Sequence, residues 1–190
     1  IGVGSVWSGT LSSPSTIETV SEARRLAVAD FDGDGIQDVA VGALDGSEIA
    51  VHRGTGTGSF GAAKRFGVSG APFTVFAADF NEDGRQDLAV ATLGGVLEIL
   101  IGTGIPGDVG FVNANSYPGF GQLLDIAVAD FNSDDILDIG LANGGNRVSV
   151  LFGTGTGGIG NGGFDDLQHC VVGATPYGLA AADLSGDGIP

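Results

Sequence analysis

Four stretches of this chain place acidic, amide and hydroxyl side chains at alternate positions. They read DFDGDGIQD at 30–38, DFNEDGRQD at 79–87, DFNSDDILD at 130–138 and DLSGDGIP at 183–190. The shared pattern is D-x-[DNS]-x-D-[GD]-x-x-D. In a tight loop, side chains at positions 1, 3 and 5 converge on one point. The carbonyl of position 7 and the carboxylate of position 9 then close an oxygen shell. Six to eight hard oxygen donors at about 2.3–2.6 Å suit Ca²⁺, whereas Mg²⁺ demands stricter octahedral geometry. The side-chain ligands expected on this basis are Asp30, Asp32, Asp34 and Asp38, then Asp79, Asn81, Asp83 and Asp87, then Asp130, Asn132, Asp134 and Asp138. The fourth stretch retains Asp183, Ser185 and Asp187, and its ninth position lies beyond Pro190. Backbone carbonyls of Ile36, Arg85, Ile136 and Ile189 fall at position 7. The expectation is three full calcium sites and a truncated fourth.

The first half of each loop matches an EF-hand loop, including the glycine at position 6 (Gly35, Gly84, Gly188) that allows a left-handed turn. The second half does not. Position 12 is Val41, Val90 or Leu141 where an EF-hand needs Glu, and strand-forming residues flank the loop where helices would be required. Asp135 replaces the turn glycine in the third loop, which Asp tolerates at some strain. Asp, Asn and Gly also make plain hairpin turns. Three full copies at constant phase, each crowding oxygen side chains that repel one another without a cation, favour metal binding over turn formation.

The elements that position these loops follow from the period. The leading aspartates Asp30, Asp79, Asp130 and Asp183 are spaced by 49, 51 and 53 residues. A second motif keeps the same phase: GTGTG from Gly54, GTGIPG from Gly102 and GTGTGG from Gly153. A unit of about 50 residues is the length of one four-stranded propeller blade. Within a unit, strands are expected at 26–31, 38–42 and 49–51 (96–101 and 148–152 in the later units), with a fourth after the Gly-rich stretch. The inner strands are apolar on both faces, with small residues such as Ala27, Ala29 and Ala40, as stacking between sheets requires. The expected fold is all-β, a partial β-propeller within one domain. Residues 1–20 end a preceding blade, 21–69, 70–120 and 121–173 are repeats, and 174–190 start a fourth. Such a ring is completed by missing blades or by another chain.

Composition agrees. Glycine supplies 36 of the 190 residues and methionine none, a poor helix-forming mixture, while 43% hydrophobic residues suffice for a core. Seven basic against 23 acidic residues give a net charge of −16, which argues against nucleic acid and anionic membranes as partners. Twelve of those acidic residues are among the ligands expected in the four loops. Cys170 is the single cysteine, so neither an internal disulfide nor a Cys-based zinc cage is available. No apolar run reaches the ~18 residues of a membrane span, and Ile1 opens a chain with no visible signal peptide.

The loops together with the GTG turns resemble the FG-GAP/VCBS repeats of integrin α-subunit propellers and many secreted bacterial proteins. The second unit adds Phe66-Gly67 followed by Gly70-Ala71-Pro72, while the others keep fragments such as Phe120-Gly121 or Gly173-Ala174. The resemblance implies four-stranded blades, usually seven to a ring, with calcium in the hairpin between the first two strands. Extracellular modules bind calcium with Kd of about 10⁻⁴–10⁻³ M, an affinity useful outside the cell, so a secreted or cell-surface location is expected.

Other features carry less. The GTG stretches lack the GK[ST] ending of a phosphate cradle and read as turns. His52 and His169 have no repeat-coherent partner, and His169 cannot face Cys170 from adjacent strand positions; a surface imidazole and a packed thiol are expected there. Asp45, Glu48, Glu98 and Asp125 could pair for glycoside hydrolysis, but no spacing selects two of them, and solvated charges are expected. Trp7, Tyr117 and Tyr177 read as packing aromatics. The leading expectation is therefore a non-catalytic, calcium-stabilised extracellular module for protein or carbohydrate binding and adhesion. A self-assembling ring or filament, joined through open blade edges, and an accessory propeller of a polysaccharide-degrading enzyme are the alternatives.

Overall fold

The computed structural model describes residues 22–186, 188 and 190. These form twelve strands and no helix. The first sheet comprises β1 (Ala23–Ala29), β2 (Asp38–Ala43), β3 (Glu48–Gly54) and β4 (Phe60–Gly67). The second comprises β5 (Pro72–Ala78), β6 (Asp87–Thr92), β7 (Val96–Gly102) and β8 (Phe111–Pro118). The third comprises β9 (Leu123–Ala129), β10 (Asp138–Asn143), β11 (Arg147–Thr156) and β12 (Ile159–Val171). Each is an antiparallel meander with its strands in sequence order, so every connection within a sheet is a hairpin.

The sheets stack face to face, and the period-2 alternation of a strand explains how one strand serves two cores. On β6, Leu88 and Val90 enter the cluster shared with the first sheet, beside Ala27, Ala29, Ala40, Ile49 and Val51. Ala89 and Ala91 enter the cluster shared with the third sheet, beside Leu123, Ile126, Ile139 and Leu141. All six residues of β6 and of β10 are buried. The small alanines on one side let the sheets approach while the larger aliphatics on the other fill the gap. Edge-to-face aromatic contacts extend both cores outward, Phe31 on Phe111 at 5.5 Å and Phe80 on Phe164 at 5.6 Å. The first strands β1, β5 and β9 lie side by side, at what would be the axis of a propeller.

Two expectations need correction. The leading strand of each repeat ends at Ala29, Ala78 or Ala129, before the aspartate, because the loop's own hydrogen bonds begin there. Residues 174–182 carry a repeat-like sequence but form no strand. Leu179 instead lies against blade three, with its methyl 3.0 Å from where a side chain on Gly140 would begin and its N–H donating to Asp125 Oδ2 at 2.9 Å. Residues 1–20, Trp7, Asp187 and Ile189 lie outside the described residues.

Candidate metal centre

Each loop is wound by its own carboxylates. Asp30 Oδ1 accepts the N–H of Gly33 at 2.7 Å and of Asp34 at 3.1 Å, while Oδ2 accepts that of Gly35 at 2.7 Å. Asp32 Oδ1 takes the N–H of Asp34 at 3.1 Å, and Asp34 Oδ1 that of Ile36 at 2.8 Å. The same succession recurs at Asp79, Asn81 and Asp83 and again at Asp130, Asn132 and Asp134. In the fourth stretch Asp183 accepts from Ser185, Gly186 and Gly188. Such a succession of side-chain-to-backbone bonds winds each loop into a tight turn. It requires a left-handed residue at position 4 as well as at position 6. Gly33 has φ +73°, Glu82 +54° and Ser133 +62°, while Gly35 and Gly84 have +84° and Asp135 +66°. The residues with side chains at these points carry strain that the loop bonds must offset.

Position 9 does something the spacing did not reveal. Asp38, Asp87 and Asp138 are each fully buried, and each accepts two backbone N–H bonds. Asp38 Oδ2 takes Phe31 N–H at 3.0 Å and Oδ1 takes Gly54 N–H at 2.8 Å. Asp87 takes those of Phe80 and Gly102 at 2.8 and 2.7 Å, and Asp138 those of Phe131 and Gly153 at 2.7 and 2.8 Å. One carboxylate thus ties the start of the Asp loop to the first glycine of the GTG motif. That glycine is not needed for a left-handed turn. A Cβ on Gly54, Gly102 or Gly153 would stand 2.3, 2.4 or 2.4 Å from the carbonyl oxygen of Gln37, Gln86 or Leu137. In the first and third repeats it would also meet Ile36 or Ile136, the position-7 side chains, which pack beneath the turn. Burial raises the pKa of all three position-9 carboxyls against the pull of their N–H donors, with further upward pressure from neighbouring loop aspartates. Asp87 is pushed up to about 6.

Of the described residues, the first loop brings three carboxylates closest together: ligand oxygens of Asp30, Asp32 and Asp38 lie within 4.8 Å of one another. This donor set, hard oxygens only, fits a hard divalent cation. The loop also holds a cation of its own. Arg53 Nε donates to Asp32 Oδ2 at 2.5 Å and Nη2 to Asp34 Oδ2 at 3.0 Å. Burial works to raise the pKa of Asp32, but Arg53 and the N–H groups of Gly107 and Asp34 outweigh it and hold the carboxyl below its usual range. In the second loop Arg85 reaches only Asp83, at 3.2 Å, and both side chains are well exposed. In the third, Asn132 Nδ2 donates to Asp134 Oδ2 at 3.0 Å.

The following repeat clasps each of the first two loops. Gly104 packs so tightly that its Cβ would lie 2.2 Å from Phe31 O, and Gly107 N–H donates to Asp32 Oδ2 at 3.1 Å. Gly160 would meet Phe80 O at 2.5 Å, and its N–H donates to Glu82, while Gly162 N–H reaches Phe80 O at 3.1 Å. Between the first two loops and the second repeat's turn at Gly104 lies a cleft of about 390 Å³ lined by Asp30, Asp32, Arg85, Ile105 and Pro106.

The FG-GAP-like repeat profile matches residues 30–90 and 79–141, each match running from one Asp loop into the next repeat. The chain belongs to this family. No curated protein matches the chain. Among solved structures, the FG-GAP chain is similar to one described as the crystal structure of BBS1N in complex with ARL6DN, soaked with lead. The two share 13% identity over 88% of this chain and 46% of that one, with a TM-score of 0.56. This chain thus spans about half the length of that neighbour, and the likeness concerns the fold alone. The FG-GAP repeats here are all-β, three four-stranded antiparallel sheets in a propeller-like stack whose ring is not closed.

Several side chains outside the loops sit differently from expectation. Glu98 is fully buried, not solvated; it accepts the N–H of Ser69 at 2.6 Å, the Ser69 hydroxyl and Asn113 Nδ2 at 2.6 Å. Asp125 is also buried and pairs with Arg25 at 3.1 Å across β5. Both carboxylates are satisfied by structural partners. The Cys170 thiol is exposed, because β12 is an outer strand, and His169 Nδ1 lies 2.9 Å from Ser149 Oγ. His52 is buried with Nδ1 on Gly61 O at 3.0 Å. The Tyr117 hydroxyl accepts the N–H of Phe164 and its ring packs on that phenyl, whereas Tyr177 is exposed.

Proposed function

We propose that this chain is a calcium-stabilised, non-catalytic β-propeller module that works outside the cell and binds a protein or glycan partner. The observation that carries the metal is the repetition of one wound loop, most compact where Asp30, Asp32 and Asp38 converge. Positions 1, 3 and 5 of each loop, with the position-7 carbonyl, would hold the ion. Position 9 would contribute while already fastened to two N–H groups. Bound calcium supplies positive charge to carboxylates that otherwise repel. With calcium tenfold above Kd, each site adds about 1.4 kcal/mol to stability. Satisfied structural roles for Glu98 and Asp125 support the absence of catalysis. The role as a binding module rests on family likeness.

Isothermal titration of the chelated protein with calcium tests the metal, and a glycan and protein binding screen in millimolar calcium tests the module. Heat from three sites and a calcium-dependent ligand support the reading; a flat titration removes the metal. A second reading, blade completion between copies or by further repeats, draws on Leu26 and Val28 of β1, which are 59% and 51% exposed on the face turned away from the second sheet. Light scattering after size exclusion separates the two: a discrete particle favours the module, and open-ended growth favours assembly.

A further inference from the structure

The first loop differs from the second and third in the charge of its ligand positions and in what answers that charge. Positions 1, 3, 5 and 9 are all Asp, against three Asp and one Asn in the second and third loops. Arg53 precedes the first glycine of its GTG motif, where the other repeats have Ile101 and Phe152. The end of β3 therefore delivers a guanidinium to the loop, while β7 and β11 deliver apolar side chains. Its fork engages two position-3 and position-5 carboxylates at 2.5 and 3.0 Å. The Asp32 side chain is wholly shielded from water, whereas Arg53 is 38% exposed. A guanidinium stays charged at any relevant pH, so it leaves the loop only by swinging outward.

We propose that Arg53 is a built-in counter-cation that competes with calcium for Asp32 and Asp34, making the loop with Asp at all four side-chain ligand positions the weakest calcium site. The inference rests on the calcium reading above. Any ion bound by Asp30, Asp32 and Asp38 must share Asp32 with the guanidinium or displace it. Arg85 does not play this part in the second loop, since it makes one exposed contact from within its own loop. Exposed pairs of that kind contribute little. The first loop thus keeps its shape when calcium is scarce, and fills last as calcium rises.

The test is calorimetric calcium titration of the whole chain as wild type, Arg53→Gln and Arg53→Lys, with urea unfolding of each in chelator. Arg53→Gln is expected to tighten one site by about tenfold or more, the scale of one charge-assisted hydrogen-bonded pair. Adding Asp30→Asn should abolish that tightened site. Arg53→Lys keeps the charge, loses the fork and should fall between. In chelator, Arg53→Gln should unfold at lower urea than wild type, and millimolar calcium should restore it. If wild type binds at three sites and Arg53→Gln binds identically, the role of Arg53 is overturned and the calcium reading stands. If none of the proteins binds calcium, the calcium reading itself falls and this inference with it.

Discussion

The bond from the position-9 carboxylate to the GTG glycine makes a sharp prediction about two glycines of the first repeat. Gly54→Ala would put a methyl 2.3 Å from Gln37 O and 2.7 Å from Ile36 Cγ2, about 1 Å inside normal contact. The obstacle is backbone, so β3 must move away from the loop. Overpacking of this kind costs about 1–3 kcal/mol. The movement also stretches the 2.8 Å bond from Gly54 N–H to Asp38, leaving buried groups unpaired at about 1–3 kcal/mol more. The sum is about 2–6 kcal/mol. Gly61→Ala is the control: its Cβ would find only Arg53 O, at 3.7 Å, and β4 has room for it. That variant should match wild type within about 0.5 kcal/mol. Urea unfolding followed by far-ultraviolet circular dichroism, in chelator so that no metal contributes, reads both. With a slope of about 2 kcal/mol per molar urea, Gly54→Ala should lower the midpoint by about 1–3 M. Equal midpoints for the two variants would show that the GTG glycine is a replaceable turn residue and that the tie is not structural.

Burial raises the Asp87 carboxyl from 3.8 to about 6, so the native state holds a proton there that the unfolded chain has released. The stability this contributes is fully present below the unfolded value near 4 and is lost as pH rises through about 6, a change of about 3 kcal/mol. Urea midpoints of chelated wild type should therefore fall between pH 4.5 and 7, and Asp87→Asn should flatten that slope. Asp79→Asn is expected to delete one calcium site from the titration while leaving the others, read by calorimetry; an unchanged stoichiometry would count against the loop assignment. Ile139→Ala, in the fully buried centre between the second and third sheets, should cost about 2–5 kcal/mol, measured by the same urea curves.

The loops and the two-sided strands were legible in the sequence because both signals are local. Alternation along 88–91 is enough to send Leu88 and Val90 one way and Ala89 and Ala91 the other. The Asp-x-Asp spacing is enough to wind a loop. The tie from Asp38 to Gly54 was not legible, because its partners are 16 residues apart on strands whose pairing sequence alone leaves open. Its only trace is that the position-9 aspartate and the first GTG glycine keep nearly constant separation in all three repeats. The left-handed backbone at Glu82 and Ser133 was hidden because neither residue type advertises it. Buried Glu98 was misjudged for a related reason. Its partners Ser69 and Asn113 come from a linker and an outer strand, so no short window displays them.

The clasp of the first two Asp loops by the next repeat's glycine turn has a consequence for how such a chain can lengthen. A repeat begins with a loop that needs a turn behind it and carries, further along, a turn shaped for the loop in front. Copying a whole repeat in tandem brings both a loop and a turn to the new junction, the two partners that meet where Gly104 packs on Phe31 and Gly160 on Phe80. Growth by unequal crossing-over is structurally permitted at any repeat boundary, whereas a cut between a loop and its own GTG motif would strand a buried carboxylate and is not.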